Sequence, residues 1–334
     1  MFNKLKYPAL NAKLKGMYAS QLTKEELYEL IRQNNIKETI YFLKAKFPIL
    51  ENINENMHRK ELEQELNNLF IINILKICKY LNKKEKEIFM QFLSKYEINC
   101  VKNVFRNVTT NRDSSISLKN IDNWTTKMFT SIDGINQIKE EKEFLELIKS
   151  QEYYKIFKEY EEQIENVPLE EIEVKLDKFY FCQIYNLAQK ENKELQDIIG
   201  TEIDLLNIIW IYRAKKYFKY SEKEIKEILI PINYNLSKNI VVEFLNANNI
   251  EEFFEIIEKT KYKNVFKNEK DLEHDKNEFL YKKYMKYFKT KLFNICTVFC
   301  NINLIDIEIK NIINVIEGIR YNIDKSEIQK KIIC

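Results

Sequence analysis

LTKEELYELIRQNNIKETIYFLKAK, residues 22–46, decides the fold class. Thr23 followed three residues later by Glu26 is a capping box, a helix start in which side chain and backbone satisfy each other. Leu27, Leu30 and Ile31 then recur on one helical face. The same pattern returns at residues 236–260, LSKNIVVEFLNANNIEEFFEIIEKT, without a gap and at a constant offset of 214 (236 − 22). Thr23 meets Ser237, and Asn34-Asn35-Ile36 meets Asn248-Asn249-Ile250. Apolar positions 27, 30, 31, 36, 40, 42 and 43 all meet apolar positions. One helix, a turn at Asn-Asn-Ile and a second helix form a unit that is used twice.

Outward from these copies the helical period persists. Leu62, Leu66, Leu69, Phe70, Asn73 and Ile77 form a stripe that Ile74 and Leu75 widen. Leu145, Ile148, Tyr154 and Phe157 form another, and Ile172, Leu176, Phe179, Gln183 and Asn186 begin a further long element. Ile225, Ile228 and Leu229 precede Pro231, which ends their helix because proline cannot donate the next backbone bond. The chain of 334 residues holds only 4 Gly and 4 Pro, several-fold below ordinary usage. Tight strand turns depend on such residues, so their scarcity points to long helices and an all-α fold.

A weaker repeat ends on arginine. EINCVKNVFR (97–106), EIDLLNIIWIYR (202–213) and IKNIINVIEGIR (309–320) place apolar residues at similar distances before Arg106, Arg213 and Arg320, about a hundred residues apart. This spacing predicts three related helical bundles, over residues 1–108, 120–217 and 218–334. The polar stretch Thr109 to Asn123 and the charged stretch Asn268 to Asn277 read as linkers or surface loops.

Chemistry is hard to find. The glycines stand at 16, 134, 200 and 318, too far apart for a phosphate-binding loop. Two histidines, His58 and His274, cannot build a histidine-rich metal centre; His58 reads as a surface residue and His274 as part of a solvated loop. Cys296 and Cys300 share a helix face and read as core beside Phe293 and Phe299. No catalytic, cofactor-binding or metal-binding residue is assigned.

The six cysteines include no CxxC pair, and MFNKLKYPAL lacks the apolar core of a secretory signal, so reduced thiols in the cytoplasm are expected. The most apolar stretch, Leu292 to Ile309, is broken by Asn294, Asn301, Asn303, Asp306 and Glu308, so no direct bilayer insertion is expected. The net charge is only +3, and the alternating KKEKE (83–87) and KEEKE (139–143) read as solvated helix faces. YKKYMKYFKTK (281–291) interleaves lysine with aromatics; at helical spacing it reads as a core stripe flanked by lysines, and nucleic acid is not an expected partner.

Three segments carry a family resemblance: YPALNAKLKGMYASQLTKEELYELI (7–31), EIDLLNIIWIYRAKKYFKYSEKEIKEILIP (202–231) and NYNLSKNIVVEFLNANNIEEFFEII (233–257). In composition and order they resemble the C subunit of V-type ATP synthases, the family of the eukaryotic V-ATPase d subunit. The resemblance implies an all-helical chain of three related domains around a pseudo-threefold axis, in a funnel. It implies a non-catalytic rotor subunit of the central stalk. Its partners would be the proteolipid ring on the cytoplasmic face of the membrane and a central shaft of the D and F subunits. It implies no active site and no cofactor. An unrelated helical repeat scaffold would share the composition and the internal repeat, though not the order of these segments, and its repeats would be shorter, about 30–50 residues. An enzyme with a helical active site would need paired buried carboxylates in one pocket.

Overall fold

The computed structural model describes residues 3–110, 138, 140–160, 169–266, 269, 271–291 and 294–334, with the side chains of 3–7, 60, 64 and 110 excepted. Among the described residues the regular structure is helical, with no strand. The helices are α1 (Asn3–Ala19), α2 (Lys24–Arg32), α3 (Ile36–Lys46), α4 (Arg59–Cys78), α5 (Lys83–Thr110), α6 (Glu141–Ile148), α7 (Tyr154–Lys158) and α8 (Leu169–Glu191). They continue with α9 (Lys193–Arg213), α10 (Glu222–Ile228), α11 (Lys238–Asn246), α12 (Ile250–Glu258), α13 (Leu272–Thr290), α14 (Ile295–Arg320) and α15 (Lys325–Lys331). Two compact units result: one holds the described residues up to Glu87 and from Tyr281 onward, the other those from Ile88 to Leu280.

In the first unit α14 is the central element. Its 26 residues span roughly 39 Å at the usual helical rise. Ile302, Ile305, Ile309, Ile312 and Ile316 are buried along it, and α1, α2, α3, α4 and α15 pack around it. Helix α1 contributes Leu10, Leu14 and Met17 at i, i+4, i+7 spacing. The expected stripe of α4 is buried at Leu62, Leu66, Leu69, Phe70, Ile74 and Ile77, while Asn73 and Leu75 lie at its half-buried margins.

In the second unit α9 takes the central place, flanked by α8, α10 and α11. It is buried at Leu195, Ile198, Ile199, Ile203, Leu205, Ile208, Ile209 and Ile211, so it is apolar nearly all round. The stripe predicted for α8 runs differently from expectation. Ile172 and Leu176 are buried as predicted, but the face continues through Tyr180, Ile184 and Ala188, leaving Phe179 and Gln183 half-buried and Asn186 exposed. Steps of four residues follow the inclined ridge along which helices interdigitate, and that ridge passes between the predicted positions. The single stripe predicted from Leu145 to Phe157 is split into α6 and α7 by a turn, with Leu145, Ile148 and Phe157 buried in both parts.

The Asn-Asn-Ile hairpin occurs in both units as predicted. Thr23 and Ser237 cap α2 and α11; Asn35 and Asn249 cap α3 and α12 through bonds from the Glu38 and Glu252 N–H groups. Glu38 and Glu252 reach back to the N–H groups of Asn34 and Asn248, at 3.0 and 2.8 Å. The predicted linker 268–277 is a correction in its second half. Helix α13 begins at Leu272, with Leu272 and Leu280 buried. Asp271 accepts the His274 N–H, and Glu273 and Asp275 lie in the first turn, where the helix dipole favours negative charge. The predicted linker 109–123 lies outside the described residues from 111 onward.

Candidate functional site: two anchored helix tips

The polar residues that interrupt the central helices are the fasteners of each unit. In α14, Asn311 donates to the Ile333 carbonyl at 2.7 Å and accepts the Ile333 N–H at 2.9 Å. In α9, Asn207 does the same to Ile230, at 3.0 and 2.9 Å. One helical turn earlier stands a buried acid. Glu308 accepts the Leu22 N–H at 2.6 Å. Asp204 accepts the N–H groups of Tyr234 and Asn235, at 3.1 and 2.6 Å, and bonds that of Leu236. Leu22 and Leu236 are the same position of the duplicated hairpin, so each hairpin is tied at its entry to the central helix of its own unit.

A third buried acid, Glu97 of α5, accepts from the Tyr153 hydroxyl at 2.8 Å, immediately before α7. Burial raises all three carboxyls, Glu97 to about 7 and Glu308 to about 8. The donated bonds pull the other way and do not cancel the desolvation. Each acid is matched to its own set of donors, an arrangement that fastens segments and does not form a carboxylate pair.

These fasteners hold two similar tips. Helix α9 runs into a π-helical turn, Ala214–Phe218, and Lys219 then adopts left-handed backbone at φ 54°. Ser221 caps the seven-residue α10, whose Ile225 is buried, and the chain returns to Asn207 at Ile230. Helix α14 ends at Arg320, Asn322 adopts φ 54°, Asp324 caps the seven-residue α15, and the chain returns to Asn311 at Ile333. Both tips expose large side chains: Tyr217 (64 %) and Phe218 (54 %) on one, Tyr321 (64 %) and Ile323 (48 %) on the other. A long packed helix ending in a clamped return presents these groups on a stiff support, because close-packed interiors deform little. Contact with another protein is what such a tip can do; nucleophilic or acid–base chemistry is not offered there.

The tips were not marked by sequence reasoning. Their signal was present as polar residues inside apolar runs, Asp204 and Asn207 in one and Glu308 and Asn311 in the other, at equal separations (308 − 204 and 311 − 207 are both 104). The arginine-ending repeat is offset by 107 (320 − 213), about one helical turn out of step with the hydrogen-bonded equivalence.

The residues weighed for chemistry fall apart in space and role. His58 is exposed before α4, donating its N–H to Glu61. His274 sits half-buried in the first turn of α13, not in a solvated loop as expected. Cys296 and Cys300 are buried with sulfurs 4.0 Å apart, and burial pushes the Cys300 thiol well up, as suits core thiols. Phe299 is buried with them, and Phe293 lies outside the described residues. No group of three or more potential metal ligands occurs among the described residues. No helix among them is long and apolar enough to cross a membrane.

Comparison with known proteins gives the fold its relatives. Residues 10–331 match the model of the ATP synthase (C/AC39) subunit family. The C subunit of the A-type ATP synthase of Pyrococcus furiosus is 23 % identical over 270 residues, 79 % of this chain and 70 % of that protein. That of Methanosarcina barkeri is 21 % identical over 267 residues, 78 % of this chain and 71 % of the relative. That of Methanosarcina mazei is 22 % identical over 204 residues, 60 % of this chain, and the match spans about half (54 %) of the relative's length. With the family model matching nearly end to end on an all-helical frame, this chain belongs to the ATP synthase (C/AC39) subunit family.

Proposed function

We propose that this chain is the non-catalytic central-stalk rotor subunit of a V-type ATP synthase or ATPase. In this role it joins the proteolipid ring of the membrane sector to the central shaft of the D and F subunits, and passes torque between ion translocation and ATP synthesis or hydrolysis. It works on the cytoplasmic side, peripheral to the membrane and without entering the bilayer. The family match over residues 10–331 carries this reading. The fasteners support it physically: a torque coupler must not shear internally, and the buried backbone bonds that Asp204 and Glu308 accept resist sliding of each hairpin along its central helix.

Three related domains over residues 1–108, 120–217 and 218–334, arranged as a funnel about a pseudo-threefold axis, are part of the proposal. Its support is the recurrence of a buried acid on α5, α9 and α14, each bonded to a segment at a short helical pair.

The test is purification of the tagged protein from gently solubilised membranes of its native cells. Recovery of proteolipid, shaft and ATP-hydrolysing subunits in constant proportion is the expected result. Recovery of the protein alone, or with unrelated partners, overturns the rotor role and leaves a helical scaffold.

A further inference from the structure

The near-neutral net charge hides a strong local imbalance. Residues 1–24 hold five lysines, residues 281–291 hold five more, and neither stretch contains an acid. These 35 residues carry +10 in a chain of net +3, so the other 299 sum to −7 (3 − 10). Both stretches belong to the first unit. They touch: the Tyr18 ring of α1 lies 5.2 Å from that of Phe288 in α13, and Tyr18 shares a hydrogen bond with Tyr281.

Buried apolar and aromatic residues and exposed lysines lie at distinct positions of the two helices. Leu14, Met17, Tyr284 and Phe288 are buried, while Lys15, Lys282, Lys286 and Lys289 are exposed. The last three recur at i, i+4, i+7 and so share one side of α13. On α1 the small residues Ala12 and Gly16 are exposed beside Lys15, and a Cβ on Gly16 would meet nothing within 4 Å. Lys13 adds to the repulsion felt by half-buried Lys76 of α4, whose charge burial already disfavours. Like charges spaced one turn apart destabilise a helix.

The residue types choose among anions. Lysine is depleted where proteins bind each other. Arginine, which reads bases and clasps phosphates in pairs, is absent from both stretches, and two of the rings that could stack on bases, Tyr284 and Phe288, are buried. Clustered lysines on an amphipathic helix match the diffuse negative surface of an acidic bilayer. We propose that the exposed lysines Lys15 of α1 and Lys282, Lys286 and Lys289 of α13 dock on anionic phospholipid headgroups. This goes beyond the rotor role and rests on it only for bringing the chain to a membrane.

The experiment is flotation of the purified full chain with vesicles of phosphatidylcholine alone, or with about 30 % phosphatidylglycerol added. The chain should float with the acidic vesicles only, and salt should release it. Combined Lys282→Gln, Lys286→Gln and Lys289→Gln should weaken partitioning by about 100-fold, at about fivefold per lysine, without lowering the thermal midpoint. The corresponding triple arginine variant should still bind. Failure of the wild-type chain to prefer acidic vesicles overturns the proposal, as does unchanged binding of the glutamine variant. Tighter binding to a DNA duplex than to the vesicles at the same salt would reassign the face to nucleic acid. Because the isolated chain is used, none of these outcomes depends on whether it co-purifies with an ATP synthase.

Discussion

Asn207 and Asn311 hold their chains in the same way: each side chain both donates to and accepts from the backbone of a single isoleucine, Ile230 or Ile333. The two asparagines are buried in the central helices of different units, one turn beyond Asp204 and Glu308. Removing either side chain strands one N–H and one carbonyl. Asn207→Ala and Asn311→Ala should therefore each cost about 2–4 kcal/mol. Urea unfolding read by circular dichroism checks this, and equal losses at the two sites are the expected result. A loss below about 0.5 kcal/mol at either would show that the return segment is held by packing of Ile225 or Ile328 instead.

The paired asparagine turns invite a matched test. Asn35 and Asn249 each cap a helix, at 3.0 and 2.8 Å to the N–H three residues on. Asn35→Ala and Asn249→Ala should each destabilise by about 1 kcal/mol, and Asn→Ser at either site by much less. Thermal melts of the four variants read the difference.

Much of this fold could be read locally, and the reason is visible in these turns. Thr23, Asn35, Ser237 and Asn249 each act on the N–H group three positions on, so the sequence alone contains both partners. The buried stripes of α2 and α4 were legible for the same reason. The fastening of the hairpins to the central helices was not, because Glu308 meets Leu22 across 286 positions and Asp204 meets Tyr262 across 58. A single acid in an apolar run says that a partner exists without saying where. The charged start of α13 misled in the opposite direction: Asp271, Glu273 and Asp275 look like a loop, yet they stabilise a helix N-terminus through a field that composition does not reveal.

Glu308 should make stability fall as pH rises. Its carboxyl is raised from 4.5 to about 8 in the folded chain, chiefly by burial. The folded state therefore holds this proton more tightly than the unfolded state. The associated stability is fully present below the unfolded value of 4.5 and is lost as pH rises through about 8. Glu308→Gln removes the titration and keeps an oxygen for the Leu22 N–H. The variant should gain on the wild type between pH 5 and pH 8.5, by an amount on the order of a few kcal/mol at most. Chemical denaturation of both proteins across that range measures it; a constant difference would place the proton elsewhere.

The helix glycines should divide by what faces them. On α9, a Cβ at Gly200 would overlap the Tyr234 ring. That ring cannot step aside cheaply, since its backbone N–H is bonded to Asp204 and its hydroxyl to Asp197 at 3.0 Å. Gly200→Ala should cost about 2 kcal/mol or more by overpacking. At Gly318 the atoms in the way are the Cδ1 and Cγ1 of Ile328, both 2.6 Å from the new Cβ, on a side chain that can change rotamer. Gly318→Ala should be milder, about 1 kcal/mol, and should be relieved by a simultaneous Ile328→Val. Gly16 faces open space, so Gly16→Ala should stabilise α1 by about 0.5–1 kcal/mol through helix propensity alone. The rank order Gly16, Gly318, Gly200 in unfolding midpoint is the prediction. Finding Gly200→Ala neutral would mean that the Tyr234 ring does not lie against α9 in solution.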